Sequence, residues 1–221
     1  MNQDRLKKRE LKIWHQFYLT NLYLWSNIEW AVSEAIRETA HHPPFVLDVG
    51  CGHKPYADLF IECNYKGLDC TRENSSPDIL GDATNIPLET ATVDIVFTTQ
   101  VIEHVTDPKA MICECYRVLK PGGFLILTGP FYWPLHEEPF DYHRFTKYGF
   151  ENLLKQAGFV SWEMKADGGS WAQVFLAINL QLRSRWFIPL WVIFNLIGQF
   201  MDKIDHTELS PSNYTMLARK N

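Results

Sequence analysis

The stretch Phe45-Val46-Leu47-Asp48-Val49-Gly50-Cys51-Gly52-His53-Lys54-Pro55-Tyr56 passes from an aromatic and β-branched run into an acid and then a turn with two glycines. The apolar run suits a strand buried on both faces of a parallel sheet. Gly50 and Gly52 permit positive φ and close approach of a ligand to the backbone, and Pro55 suits the first position of a helix. The expected unit is a strand, a ligand-cradling loop and a helix start, with a small anion resting on the helix N-terminus. Dinucleotide-binding enzymes begin in the same way. Their fingerprint has a third glycine where Pro55 stands, so close helix packing beneath a pyrophosphate is not provided.

Around this stretch, 221 residues suit one α/β domain with decoration. With 46% hydrophobic and 21% charged residues, the bulk of the chain is expected to be globular. A net charge of -5 argues against generic nucleic-acid affinity, the basic segment Asp4 to Lys12 being short. The five cysteines, Cys51, Cys63, Cys70, Cys113 and Cys115, contain no C-x-x-C pair. That pattern favours reduced thiols in a cytoplasmic setting, with no disulfide and no metal site expected. No signal peptide is read at the N-terminus, where charges persist through Lys12.

Spacings of three and four among Trp14, Phe17, Tyr18, Leu22, Trp25, Ile28 and Val32 predict an N-terminal helical extension, one helix or two, ahead of His41-His42-Pro43-Pro44. The extension is assigned to residues 1–44 and the main domain to 45–221. Strands are expected at Phe45 to Val49, Tyr65 to Leu68, Asp78 to Leu80, Val93 to Thr99, Phe124 to Thr128, Phe159 to Met164 and Tyr214 to Ala218. Asp107-Pro108 and Thr146 are expected to start helices, with Gly158 ending the second. The predicted fold is Rossmann-like, a seven-stranded mostly parallel sheet with helices on both faces and its ligand site at the carboxyl ends of the strands.

Asp69 stands 19 residues after Gly50, where a carboxylate can accept both hydroxyls of an adenosine ribose. Strand-end aspartates also serve as caps and turn formers. Asp48-x-Gly50-x-Gly52, Asp69, Gly81-Asp82-Ala83, the Asp94 strand, Ile102-Glu103-His104-Val105 and Arg117-Val118-Leu119-Lys120-Pro121-Gly122-Gly123 follow in order. This succession resembles the class I S-adenosylmethionine-dependent methyltransferases over about Phe45 to Val160. The resemblance implies S-adenosylmethionine as cofactor, with Asp48, Gly50, Cys51 and Gly52 at its methionine end, Asp69 at the ribose, Asp82 and Ala83 at the adenine, and Gln100 lining it near the fourth strand. The family repeats the Glu103-His104 pair whatever the substrate, which fits helix-start architecture better than direct chemistry. His53-Lys54-Pro55 departs from the commoner loop with a third glycine, and Lys54 either pairs with a neighbouring carboxylate or is solvated.

The long loop Gly129 to Thr146 is where the acceptor is expected to be read. It resembles a His-x-x-x-Pro-x-Asp-Tyr-x-Arg-x-Thr signature of many bacterial methyltransferases, often linked with cell-surface glycan or lipid pathways. Methyl transfer to a hydroxyl needs a base of near-neutral pKa, which selects His136 first and His143 second as catalytic candidates. The alternative reading is a loop histidine that holds backbone, with Asp141 and Arg144 as a structural ion pair. His136, Glu137, Glu138, Asp141 and His143 together offer a set able to bind a divalent ion that activates a catechol-like or carboxylate-bearing substrate, but their spacing matches no tight metal motif and the alternative is solvated acids.

Between the sixth and last strands, residues 168–205 form an apolar insert. Its longest run, Trp186 to Phe200, is shorter than the ~20 residues of a spanning helix and contains Pro189. A lid, a peripheral contact at the inner face of the membrane, a homodimer surface and packing against the aromatic N-terminal helix are all open. The expected activity is methyl transfer from S-adenosylmethionine to an oxygen of a small, glycan-linked or isoprenoid-like acceptor, small-molecule or lipid-linked, with no nucleic-acid partner. The segment Gln100-Val101-Ile102-Glu103 stands where amino-adenine methylation would need an Asn/Asp-Pro-Pro-aromatic motif. The alternative is a cofactor-binding or assembly module that does no chemistry.

Overall fold

The computed structural model describes residues 11–221; most of the basic segment and the start of the expected N-terminal helix lie outside the described residues. Seven strands form one sheet in the order β3-β2-β1-β4-β5-β7-β6. They are β1 (Phe45–Val49), β2 (Asn64–Asp69), β3 (Ile79–Leu80), β4 (Val93–Thr99), β5 (Leu119–Pro130), β6 (Ser161–Asp167) and β7 (Asn213–Arg219). Strands β1 to β5 pair in parallel, while β7 runs antiparallel between β5 and β6. The order reverses at β1, and the crevice beyond the carboxyl ends of β1 and β4 is where such a sheet takes its ligand.

Each face of the sheet is covered differently. On one face lies α1 (Tyr18–Glu38), a single helix whose Trp25, Ile28, Val32 and Ala35 pack on Val46, Ile95, Phe97 and Ile126. On the other lie α2 (Pro108–Val118) and α3 (Lys147–Ala157), whose Met111, Cys115, Phe150 and Leu154 meet Leu47, Val96, Leu125 and Leu127. The expected helix starts hold. Asp107 accepts the Ala110 N–H at 3.0 Å, Thr146 accepts the Gly149 N–H at 3.1 Å, and Gly158 ends α3 at φ 107°.

The helix expected after the glycine turn is not formed. Residues 50–63 make turns and one 3₁₀ turn, Ala57–Phe60, before β2 begins at Asn64. The linker is short, and α1 already covers this face, so Tyr56 and Phe60 need only to plug the edge of the α1 cluster against Phe97. No helix N-terminus is therefore available here for an anion.

Arg117 ties the edge of the sheet to α2. It donates to the carbonyls of Ile86 and Leu88 at 2.9 and 2.8 Å and to Glu114, which accepts the Ile86 N–H at 2.9 Å. On the neighbouring strands, buried Asp94 accepts the Phe45 N–H and the Lys120 ammonium, both at 2.9 Å. A Cβ at Gly123 would lie 2.8 Å from the Asp94 carbonyl oxygen, which explains a glycine after Lys120-Pro121.

The apolar insert is a helical hairpin, α4 (Ser170–Gln181) and α5 (Ile188–Ile204). Its buried stripe on α5 is Trp191, Asn195, Gly198 and Asp202. Asp202 accepts the N–H groups of Gly169 and Ala172 at 2.8 and 3.1 Å, so one helix caps the other. Asn195 accepts from Asn179 at 2.9 Å and donates to the carbonyls of Ile13 and His15 at 2.7 and 3.0 Å. Pro189 sits in the first turn of α5, where it is tolerated, so it does not interrupt the run as expected. The continuous segment Arg185–Ile204 has 20 residues and a mean hydropathy of 1.3, enough by length and composition alone to cross a membrane.

Beneath α1, fully buried Asp167 accepts hydrogen bonds from Asn27 at 2.7 Å and from the Thr215 hydroxyl at 2.9 Å. Burial pushes its pKa up to about 7, partly opposed by these two donors. Because the folded state holds this proton more tightly than the unfolded chain, the Asp167 contribution to stability is greatest below the unfolded value. It declines as pH rises towards 7. Asp167→Asn should flatten that dependence, measured as urea midpoints between pH 4.5 and 8; an unchanged slope would exclude Asp167 as its source.

Candidate functional site

A cleft of about 890 Å³ opens at the carboxyl ends of β1, β2 and β4. One end is lined by Gly50, Cys51, Gly52, Asp69, Asp82, Ala83 and Gln100, which are seven of the eight residues expected at a cofactor. Asp48 is the exception. It is buried beneath the turn and accepts a hydrogen bond from the Tyr65 hydroxyl, so it holds β1 to β2 rather than facing the cleft.

The turn itself is fixed from below. The Gly50 and Cys51 N–H groups both donate to the Leu68 carbonyl, at 2.8 and 3.1 Å, and the Gly52 N–H donates to Asp69 Oδ2 at 3.0 Å. At Gly50, φ is +72° and a Cβ would lie 2.4 Å from Val101, so only glycine fits. At Gly52, φ is +49° and a Cβ would meet nothing within 4 Å, because this residue faces the open cleft. Cys51 is pushed up to about 12 by burial and by Asp48, which keeps its thiol protonated and unreactive. Lys54 turns away to pair with Asp78 at 2.7 Å, the paired alternative for this residue.

Asp82 accepts from both the N–H and the hydroxyl of Thr84 at 2.7 Å, and those hydrogen bonds hold its carboxyl below the usual range. The charged, hydrogen-bonded carboxylate therefore stands at the cleft wall with Ala83 beside it. Gln100, at φ 54°, donates its side-chain amide to Thr128 at 3.1 Å. A non-glycine residue in this conformation is strained by roughly 1–3 kcal/mol, a cost commonly met at ligand sites.

The other end of the cleft is lined by His104, Glu137, Phe140 and Tyr142. Three of these come from the Gly129 to Thr146 loop, whose shape depends on Arg144. Arg144 makes a two-pronged pair with Asp141 at 2.6 and 2.7 Å and donates to the carbonyls of Trp133 and Pro134 at 3.2 and 3.1 Å. This pair holds the Asp141 carboxyl far below the ordinary aspartate range. The loop is then tied to the 3₁₀ turn Ile102–His104, since the Tyr142 and His143 N–H groups donate to the Glu103 carbonyl at 2.9 and 3.2 Å.

His136 lies in this loop one ring behind His104, their centroids 4.8 Å apart. Its N–H and its Nδ1 stand 3.0 and 3.2 Å from Asp141 Oδ2. Burial pushes the His136 pKa below the ordinary histidine value, against the opposing pull of Asp141, so the imidazole is neutral at pH 7. His143 is not brought to the cleft; its ring packs 5.5 Å from Phe145. The recurring Glu103-His104 pair was assigned to helix-start architecture, yet the 3₁₀ turn delivers His104 to the cleft and buries Glu103 behind it. Phe140, Tyr142 and Glu137 carried the one available signal, their place in a long loop.

The central part of the chain is similar to known proteins. Residues 47–127 match a family model described as a methyltransferase domain. A probable S-adenosylmethionine-dependent methyltransferase of Mycolicibacterium smegmatis is 36% identical over 38% of this chain and 37% of its own length. The malonyl-[acyl-carrier protein] O-methyltransferase of Serratia marcescens is 29% identical over 41% of this chain and 40% of its own. These alignments span well under half of either relative. The crystal structure of an S-adenosylmethionine-dependent methyltransferase from Archaeoglobus fulgidus shares the fold, with a TM-score of 0.58 at 17% identity over 87% of this chain and 93% of that one. The strand order, the glycine turn with its Asp69 anchor and the match over residues 47–127 make this chain similar to the class I S-adenosylmethionine-dependent methyltransferases across that core.

Proposed function

We propose that the chain transfers the methyl group of S-adenosylmethionine to an oxygen of a small, glycan-linked or isoprenoid-like acceptor. The observation that carries this reading is one continuous cleft with a cofactor end, Gly50 to Gly52, Asp69 and Asp82-Ala83, and an acceptor end, His104, Glu137, Phe140 and Tyr142. When bound, S-adenosylmethionine supplies a methyl carbon on a sulfonium, open to in-line attack by a nucleophile. Gly52 leaves backbone room for the methionine end, while the Asp69 and Asp82 carboxylates offer acceptors for ribose hydroxyls and the adenine amino group.

At the far end, Phe140 and Tyr142 give the acceptor a flat apolar wall, and His104 with His136 behind it activates its oxygen. His136 reaches the acceptor through His104, and His143, off the cleft, is left a structural part. Oxygen is favoured because His104, backed by His136, stands on the cleft wall where a hydroxyl would have to lose its proton, and the Serratia relative carries an oxygen specificity in its name.

Calorimetry with S-adenosylmethionine and a screen of cell extracts with methyl-labelled cofactor test this reading. Asp69→Ala, which also frees the Gly52 N–H, should weaken cofactor affinity at least tenfold. His136→Ala should keep cofactor affinity and lower turnover by ~10²-fold or more. Absence of binding by the intact chain would leave only an assembly module, and full turnover by His136→Ala would remove that residue from the chemistry.

The lipid-linked class of acceptor is supported by the hairpin. On α5 the apolar side chains of Ile193, Leu196, Phe200 and Ile204 point to solvent, and Trp186, 91% exposed, sits at its start near Arg183 and Arg185. That arrangement suits a helix lying in a membrane interface. Trp191 is excluded from that face, being buried with its indole N–H donating to the Leu182 carbonyl at 3.0 Å. Trp186→Ser, Ile193→Ser and Phe200→Ser combined should abolish co-sedimentation with anionic lipid vesicles; equal partitioning of the intact and altered chains would overturn the membrane contact.

A further inference from the structure

Glu103, His104 and His136 each aim a ligand-type atom at one point, with these atoms all within 4.8 Å of one another. Glu103 Oε1 lies 3.8 Å from His104 Nε2 and 3.9 Å from His136 Nε2. Both imidazoles are oriented from behind. His104 Nδ1 stands 2.8 Å from the Phe140 carbonyl oxygen, and His136 Nδ1 stands 3.3 Å from the Pro134 carbonyl and 3.2 Å from Asp141 Oδ2. These partners only accept, so each Nδ1 carries the ring proton and each Nε2 presents a lone pair.

Two lone pairs and a carboxylate thus converge in a buried place, where His104 Nε2 makes no hydrogen bond. Glu137 Oε2, on the cleft wall, is a further oxygen 3.4 Å from His104 Nε2. An imidazole whose far nitrogen is held by a carboxylate or a carbonyl is also the arrangement that orients histidine ligands in metalloproteins.

We infer that His104, His136 and Glu103 bind a divalent cation at the acceptor end of the cleft, with Glu137 within reach as a fourth ligand. Two imidazole nitrogens and a carboxylate suit Zn²⁺ or Mn²⁺ better than Ca²⁺, which takes six to eight oxygens. Metal–ligand bonds of about 2.1 Å put neighbouring ligand atoms about 3.4 Å apart in a tetrahedral site. The observed separations of 3.8 to 4.8 Å therefore need to close by only about 0.4 to 1.4 Å, within the reach of side-chain rotation. His104 and Glu137 line the cleft, so an ion held by them could take an acceptor hydroxyl or carboxylate oxygen from that side and favour loss of its proton. This last role rests on the methyl-transfer reading and makes His136 a ligand rather than a free base; the ion site itself does not depend on it.

The test is calorimetric titration of the EDTA-stripped full chain with MnCl₂ alone and with ZnCl₂ alone, with bound Mn²⁺ counted by electron paramagnetic resonance. One equivalent per chain is expected for at least one of the two ions, weakened about 100-fold or more in His136→Ala. Asp141→Asn, which loosens both the group behind His136 and the Arg144 pair that shapes the loop, should weaken it about 10- to 100-fold. Retained S-adenosylmethionine binding by His136→Ala shows that this variant is folded. A chain that binds the ion but not S-adenosylmethionine would uphold the site while removing methyl transfer. No stoichiometric binding of either ion by the stripped chain, or equal binding by His136→Ala, would overturn the site.

Discussion

The geometry of the whole cleft depends on one close approach, that of Val101 to the backbone at Gly50. A side chain at Gly50 would occupy the place of the Val101 methyl groups, and the positive φ there turns the chain so that both Gly50 and Cys51 donate to Leu68. Three strand ends, those of β1, β2 and β4, are brought together by that contact. Each contributes a wall: the glycine turn from β1, Asp69 from β2, and the Gln100-to-His104 segment from β4. Strain at Gln100 is sustained because Thr128 on β5 holds it from the neighbouring strand.

A second organising element is the Asp141–Arg144 pair, which works on the acceptor side as the Asp69–Gly52 hydrogen bond works on the cofactor side. In both, a carboxylate takes N–H groups of a loop that has no regular structure of its own. The loop without such partners would lose its shape, since its backbone has little internal hydrogen bonding. Arg144 adds what a lysine would not, a planar fork that satisfies both oxygens of Asp141 and reaches two carbonyls as well.

Much of this was legible in the residue pattern, and the reasons differ by element. Strand β4 and the capped helices α2 and α3 were read closely because burial period and capping residues are local signals. The Asp69 position followed from its spacing to the glycine turn. The missing helix after that turn was not legible, because Pro55 and the apolar Tyr56 and Phe60 satisfy a helix start as well as a 3₁₀ turn. What decided it was the coverage of that sheet face by α1, a long-range fact. The contact of His104 with His136 was not legible for a related reason: it is made only when the loop from Gly129 onward folds back on the 3₁₀ turn.

The hairpin α4–α5 has its polarity reversed, with Asn195 and Asp202 turned towards the protein and aliphatic residues turned outward. The inward polar groups are committed, Asp202 to the start of α4 and Asn195 to α4 and to backbone near the chain's N-terminal side. Swinging the hairpin away from the body would therefore strand the Asn195 carboxamide, which donates to the carbonyls of Ile13 and His15 outside the hairpin. Such a hairpin is a fixed keel rather than a door.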